Sequence, residues 1–119
     1  YLKNVWQAAI YNVSVPDEID AYIDESLKQR NLVDIDWALM TFNMSDDHNG
    51  VVPGDGTYKD VKAPILNIWG RKDYVIPEVM FNQNVEAFKE AESLILDNGS
   101  HSPITDEPET LIQAIHDFL

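Results

Sequence analysis

A carboxylate that orients an imidazole, and an imidazole that takes and returns a proton, are the working parts of many hydrolytic sites. Two loops of this chain offer that pairing. The first is Gly70-Arg71-Lys72-Asp73-Tyr74-Val75-Ile76-Pro77, and the second is Asp97-Asn98-Gly99-Ser100-His101-Ser102-Pro103. Asp73 and His101 stand 28 positions apart. One helix, one strand and two short connections consume about that length. Read singly, an aspartate after Gly-x-x is an ordinary turn former whose carboxylate bonds nearby backbone. A lone loop histidine is, by itself, an ordinary surface residue. The placement of the two together is what suggests chemistry. His48 and His116 have no comparable setting, and both are expected to be solvent-exposed. Ser100 and Ser102 flank His101, but adjacent residues of an extended loop point apart, so neither is the expected partner of the ring.

The elements around these loops can be read from periodicity. Pro64-Ile65-Leu66-Asn67-Ile68-Trp69-Gly70 is a short apolar run bounded by proline and glycine, as in a strand covered on both faces. Residues 78–91 follow as an amphipathic helix with Phe81, Val85 and Phe88 at helical spacing. Ser93-Leu94-Ile95-Leu96 is a second short strand. A last helix has Pro108 in its first turn and Thr105 or Asp106 as its cap. Leu111, Ile112, Ile115, Phe118 and Leu119 are expected on its buried face. Strand, helix, strand, helix in that order predicts an α/β arrangement of two parallel strands joined by a right-handed crossover. In such sheets the crevice at the carboxyl ends of the strands carries function, so Asp73 and His101 should emerge on one edge.

Upstream the pattern is helical. Residues 1–12 are apolar without a clear period. Ser14-Val15-Pro16-Asp17 is a helix start, with Ile19, Tyr22, Ile23 and Leu27 following at helical spacing. A second helix is expected near 34–42. Residues 45–62 contain Gly50, Pro53, Gly54 and Gly56 among polar residues and read as loop and linker. The main division therefore falls at residue 60: a helical segment 1–60, then a β-α-β-α segment 61–119. Trp6, Trp37 and Trp69 are assigned to core packing.

The 119 residues carry eight basic and 21 acidic side chains, a net charge of −13. Nucleic-acid binding needs clustered Lys and Arg, and the longest basic cluster is Arg71-Lys72. Nucleic acid and anionic membrane are therefore poor partners. Without cysteine there is no disulfide or thiolate chemistry, which fits a reducing, cytoplasmic setting. No apolar run approaches the ~20 residues of a membrane span. No cofactor signature and no His/Cys metal spacing occur. The loop around Gly50 fails as a calcium loop, because Ser45 and Gly56 stand where Asp and Glu are required.

The acid and histidine loops resemble those of the α/β-hydrolase superfamily. The family's late acid loop reads P-x-L-x-x-x-G-x-x-D-x-x-x-P, and Pro64, Leu66, Gly70, Asp73 and Pro77 match it. Its histidine loop leads to an acid-Pro pair opening the last helix, matched by His101, Pro103 and Glu107-Pro108, with Phe118-Leu119 closing the chain. The resemblance implies a C-terminal portion of that fold, with residues 1 to about 60 as a helical cap. It implies that Asp73 holds the imidazole of His101 and that His101 is general base and then general acid. The nucleophile of the family sits in G-x-S-x-G on a strand-to-helix turn. That motif is absent: its nearest match, Gly50-Val51-Val52-Pro53-Gly54, has valine in place of the hydroxyl. In the family's order of nucleophile, acid and histidine, the nucleophile precedes residue 1. The start at Tyr1, without a turn or cap signal, likewise reads as a segment of something longer. Ser100 replaces the glycine that many members have before the histidine, and is expected to be tolerated.

The expectation is thus an esterase-like parent acting on a small-molecule substrate, and an isolated chain without activity. The strand over residues 65–69 should self-associate through its open edge. The rival reading is a non-catalytic binding or interaction domain of similar fold. A G-x-S-x-G upstream separates the two.

Overall fold

The computed structural model describes residues 1–30 and 32–119. Its elements are α1 (Leu2–Ala9), α2 (Ile19–Leu27), α3 (Leu32–Thr41), a 3₁₀ turn (Thr57–Asp60), β1 (Leu66–Gly70), α4 (Glu78–Ala87), β2 (Glu92–Leu96), α5 (Pro103–Asp106) and α6 (Pro108–Phe118). The chain forms two compact units: Tyr1–Asp24 with Pro64–Leu119, and Glu25–Ala63.

The larger unit is built on a parallel pair. β1 and β2 run in register from Leu66 opposite Glu92 to Gly70 opposite Leu96. This is the small α/β arrangement expected from the order of elements, and among the described residues its sheet has these two strands alone. Both strands bury deepest at their carboxyl ends, at Trp69 and Gly70 in one and at Leu96 in the other. The apolar core is Ile19, Trp69, Phe81, Leu96 and Leu111. Trp69 stacks on Phe81 of α4, with centroids 5.4 Å apart, and donates its indole N–H to the Ile76 carbonyl at 2.9 Å. One residue therefore ties strand, helix and acid loop together, burying a large apolar surface with its polar group satisfied.

Several local expectations are corrected. α4 stops at Ala87 rather than 91, because Phe88 leaves the helical region and Ala91 N–H turns back onto the Phe88 carbonyl at 2.9 Å. Neither Thr105 nor Asp106 caps α6. Glu107 holds that position without a side-chain bond, since α5 intervenes and engages the two expected caps elsewhere. On α6 only Leu111 is buried, while Ile112, Ile115 and Leu119 are exposed. No described element covers that side of the helix. α2 begins at Ile19, later than the Ser14 start, and it is the Ser14 backbone N–H that is engaged.

Tyr1–Asp24 clusters with the β-α-β-α segment, whereas the 1–60 division of the sequence had kept it with residues 25–60. Residues 10–14 hydrogen-bond into the β-α-β-α segment, as described below, and Ile19 is part of its core. The smaller unit has no buried residue among those described. Its α3 exposes Val33, Trp37 and Leu39, so Trp37 is not a core residue as its type suggested.

Candidate functional site: an aspartate–histidine pair at the strand ends

The two loops meet because their backbones interlock just beyond the strands. Arg71 N–H bonds the Leu96 carbonyl at 2.9 Å, and Lys72 N–H bonds the Gly99 carbonyl at 2.9 Å. Gly70 and Gly99 make this approach possible. A Cβ on Gly70 would collide with the carbonyl oxygens of Gly99 and Ser100, so a side chain there would force the loops apart. Outside this seam Arg71 Nε donates to Asp97 at 2.7 Å and Lys72 Nζ donates to the Asn98 side chain at 2.9 Å. The Asp97 carboxylate raises the Arg71 guanidinium above its ordinary value. These surface contacts are screened and add little compared with the backbone seam.

Asp73 uses both of its oxygens. Oδ1 accepts the backbone N–H groups of Val75 and Ile76, at 2.7 and 2.9 Å. This is the turn-forming role open to any aspartate after Gly-x-x. The second oxygen is then directed by the first: Oδ2 lies 3.0 Å from Nδ1 of His101. The Asp73 side chain is 7% exposed and that of His101 is 35% exposed. A carboxylate facing Nδ1 requires the proton of a neutral imidazole there, which leaves the Nε2 lone pair available. Among the described residues none hydrogen-bonds Nε2. Beside the pair is a pocket of about 190 Å³, lined by Ile68, Trp69, Gly70, Asp73, Ile76, Ser100, His101 and Pro103. A buried acid, a half-buried ring with one free basic nitrogen and an apolar hollow can together accept a proton from a hydroxyl and return it.

The structure thus brings together the two residues that the spacing singled out. His48 and His116 are exposed; His48 Nδ1 takes the Gly50 N–H at 3.0 Å. Neither Ser100 nor Ser102 bonds the ring. Ser102 Oγ pairs with Thr105 Oγ1 at 2.8 Å, and Ser100 is turned inward. No group of three or more His, Cys, Asp or Glu among the described residues is arranged to hold a metal ion. No described helix is long and apolar enough to cross a membrane.

No protein-family model matches the chain, and no curated protein matches it.

The roles of three residues of this neighbourhood escaped the sequence reading. Asn12 Nδ2 donates to the Lys72 carbonyl at 3.0 Å, next to Asp73. Ser100, 1% exposed, points its hydroxyl to the Ile10 carbonyl at 2.8 Å and to the Asp106 carboxylate. Asp106 accepts the Ser100 N–H at 2.6 Å on one oxygen and the Ser14 N–H at 2.8 Å on the other. Residues 10–14 therefore fasten both loops. With partners 60 to 92 positions away, no local pattern announces them.

Proposed function

We propose that this chain carries the acid–base half of an α/β-hydrolase that cleaves an ester or related acyl bond of a small molecule. The reading rests on one observation above the others: Asp73 Oδ2 faces His101 Nδ1 at 3.0 Å, at the carboxyl ends of two parallel strands. The matches to the family's acid and histidine loops support it.

In this mechanism Asp73, fixed by the Val75 and Ile76 amides, accepts a hydrogen bond from the Nδ1–H of His101 and holds the ring in one tautomer. His101 Nε2 takes the proton of a serine hydroxyl as that oxygen attacks the acyl carbon. The imidazolium, stabilised by Asp73, then gives the proton to the leaving alkoxide, and the same cycle run with water releases the acid. The attacking hydroxyl and the oxyanion donors come from residues other than these 119, since no G-x-S-x-G occurs in them. The edge of β1 opposite β2 is the natural seat of a further strand, and in the isolated chain a second copy takes that place.

The test is turnover of a p-nitrophenyl ester by a protein joining these residues to a G-x-S-x-G elbow. His101→Ala and Asp73→Asn should each suppress it by orders of magnitude while the fold persists. A protein indifferent to both substitutions overturns the reading.

A further inference from the structure

Asp106 has as many hydrogen-bond partners as Asp73, and the mechanism above makes no use of it. Its two oxygens collect three donors or partners from two separate stretches of chain: the Ser14 amide at 2.8 Å, the Ser100 amide at 2.6 Å, and the Ser100 hydroxyl. The Ser100 oxygen in turn accepts the Ser102 amide at 3.2 Å and lies 2.8 Å from the Ile10 carbonyl. The peptide N–H groups on both sides of His101 are thus anchored to one buried cluster, while the histidine side chain points the other way, to Asp73.

We propose that Asp106, acting through Ser100, is the positioning residue of the His101–Asp73 pair, and that the segment Ile10–Ser14 is the brace against which it holds. This deepens the hydrolase reading and rests on it. A ring carried on a loop keeps a single approach to its acid only when the backbone on either side cannot rotate. A displacement of about 1 Å at a reacting atom costs on the order of 10²-fold in rate, so an anchor of this kind matters more to chemistry than to folding. Asn12, donating to the Lys72 carbonyl, braces the acid loop from the same segment. Both halves of the pair are therefore referred to one piece of backbone.

The experiment reads the His101 ring directly, by ¹⁵N–¹H correlation spectroscopy on the chain as it stands. The wild-type ring should be the Nδ1–H tautomer, with a low-field Nδ1 proton that Asp73→Asn removes. Asp106→Asn keeps the shape of the side chain but turns an amide N–H₂ toward a backbone donor. It should lose the low-field signal and return the ring to the Nε2–H form that a free imidazole prefers. Leu111→Ala, which weakens the core but removes none of the side-chain hydrogen bonds of either loop, should leave the ring signals unchanged. A folded Asp106→Asn protein with the wild-type ring spectrum overturns the proposal. Where Asp106→Asn does not fold, Ser100→Ala, which removes the hydroxyl alone and keeps the carboxylate and the backbone donors, decides by the same signals. A wild-type ring without the Nδ1 proton, or one indifferent to Asp73→Asn, overturns instead the catalytic reading on which the proposal stands.

Discussion

Two loop regions of this chain are alike in composition and unlike in construction. Residues 43–60 and the paired loops 70–77 and 97–107 are each rich in Asp, Asn, Ser and Gly, and each contains a histidine. In the first region the side-chain hydrogen bonds are local. Asn43 reaches Asp47, His48 takes Gly50 N–H, Asn49 takes Val51 and Val52 N–H, and the longest link, Lys59 to Asp46, spans 13 positions. In the second, bonds at separations of 28, 90 and 92 positions converge around one ring. Local bonds shape a turn and can form wherever the sequence allows. Long-range ones constrain side chains from separate elements to a common point, which is what a reactive constellation requires.

The comparison breaks first on activity. In a protein supplying the serine, Asp73→Asn should reduce turnover by about 10⁴-fold, the loss expected when the base is held in the wrong tautomer. His101→Ala should cost at least as much. His48→Ala should change nothing, although the two histidines look equivalent by composition. The chain alone should not label with a serine-reactive phosphonate, because neither an activated hydroxyl nor oxyanion donors are in place. Labelling at Ser100 or Ser102 would show that the wrong machinery has been assigned.

Stability should separate the two compact units from which these regions come. Leu96, 2% exposed at the base of the histidine loop, is held by burial, and Leu96→Ala should cost about 2–5 kcal/mol. Leu39 on α3 is 73% exposed, and Leu39→Ala should stay within about 0.5 kcal/mol. Urea unfolding of both variants measures the contrast. Equal losses would mean that α3 is covered in solution.

The Asp73–His101 pair was legible in the sequence because each member sits in the loop after a short apolar run with a glycine near the turn, a pattern confined to about ten residues. The parallel order of the strands was legible from the succession of strand, helix, strand and helix. Asp106 shows where that legibility ends. Its position before Glu107-Pro108 has the chemistry of a helix cap, and a cap was the expectation. In the fold, Pro103 opens a separate short helix first, and the carboxylate is drawn to amides 6 and 92 positions away. Ser100 seemed a tolerated departure and is a buried joint. Trp37 and the outer side of α6 show the converse. Apolar type predicts burial only where another element is available to cover it.

Association comes next in size. Among the described residues β1 has an unpaired edge, with Leu66 and Ile68 half-buried on either side of the polar Asn67. Strand pairing through it should give a dimer by light scattering at high micromolar concentration. A lysine placed at Ile65, just before the strand, should shift the balance toward monomer, as charge does on sheet edges. A clean monomer for the unmodified chain would count against the edge as an interface.

The smallest effect belongs to the locally bonded loop, and its sign is set by the charges there. Hydrogen bonds from Lys59 and Tyr58 hold the Asp46 carboxyl below the ordinary aspartate value of 3.8, and the hydroxyl and N–H of Thr57 do the same for Asp55. The same Asp46 contact raises Lys59 above 10.5 and Tyr58 above 10.0. A carboxyl lowered in the fold stabilises fully above its unfolded value, and loses that contribution as pH falls through the lowered one. A lysine or tyrosine raised in the fold stabilises fully below its unfolded value, and loses that contribution as pH rises through the raised one. The loop should therefore be tightest between about pH 4 and 10 and loosen at both ends. All these groups are exposed, so added salt should flatten the profile. Amide protection of Thr57 and Lys59 across pH reads it. Asp46→Ala should remove the alkaline limb and leave the Asp55 part of the acid limb. The His101 loop, held from within by Asp106 and Ser100, should keep its protection in that variant. If Asp46→Ala alters the ring signals of His101, the two regions are coupled and the contrast between local and convergent bonding fails.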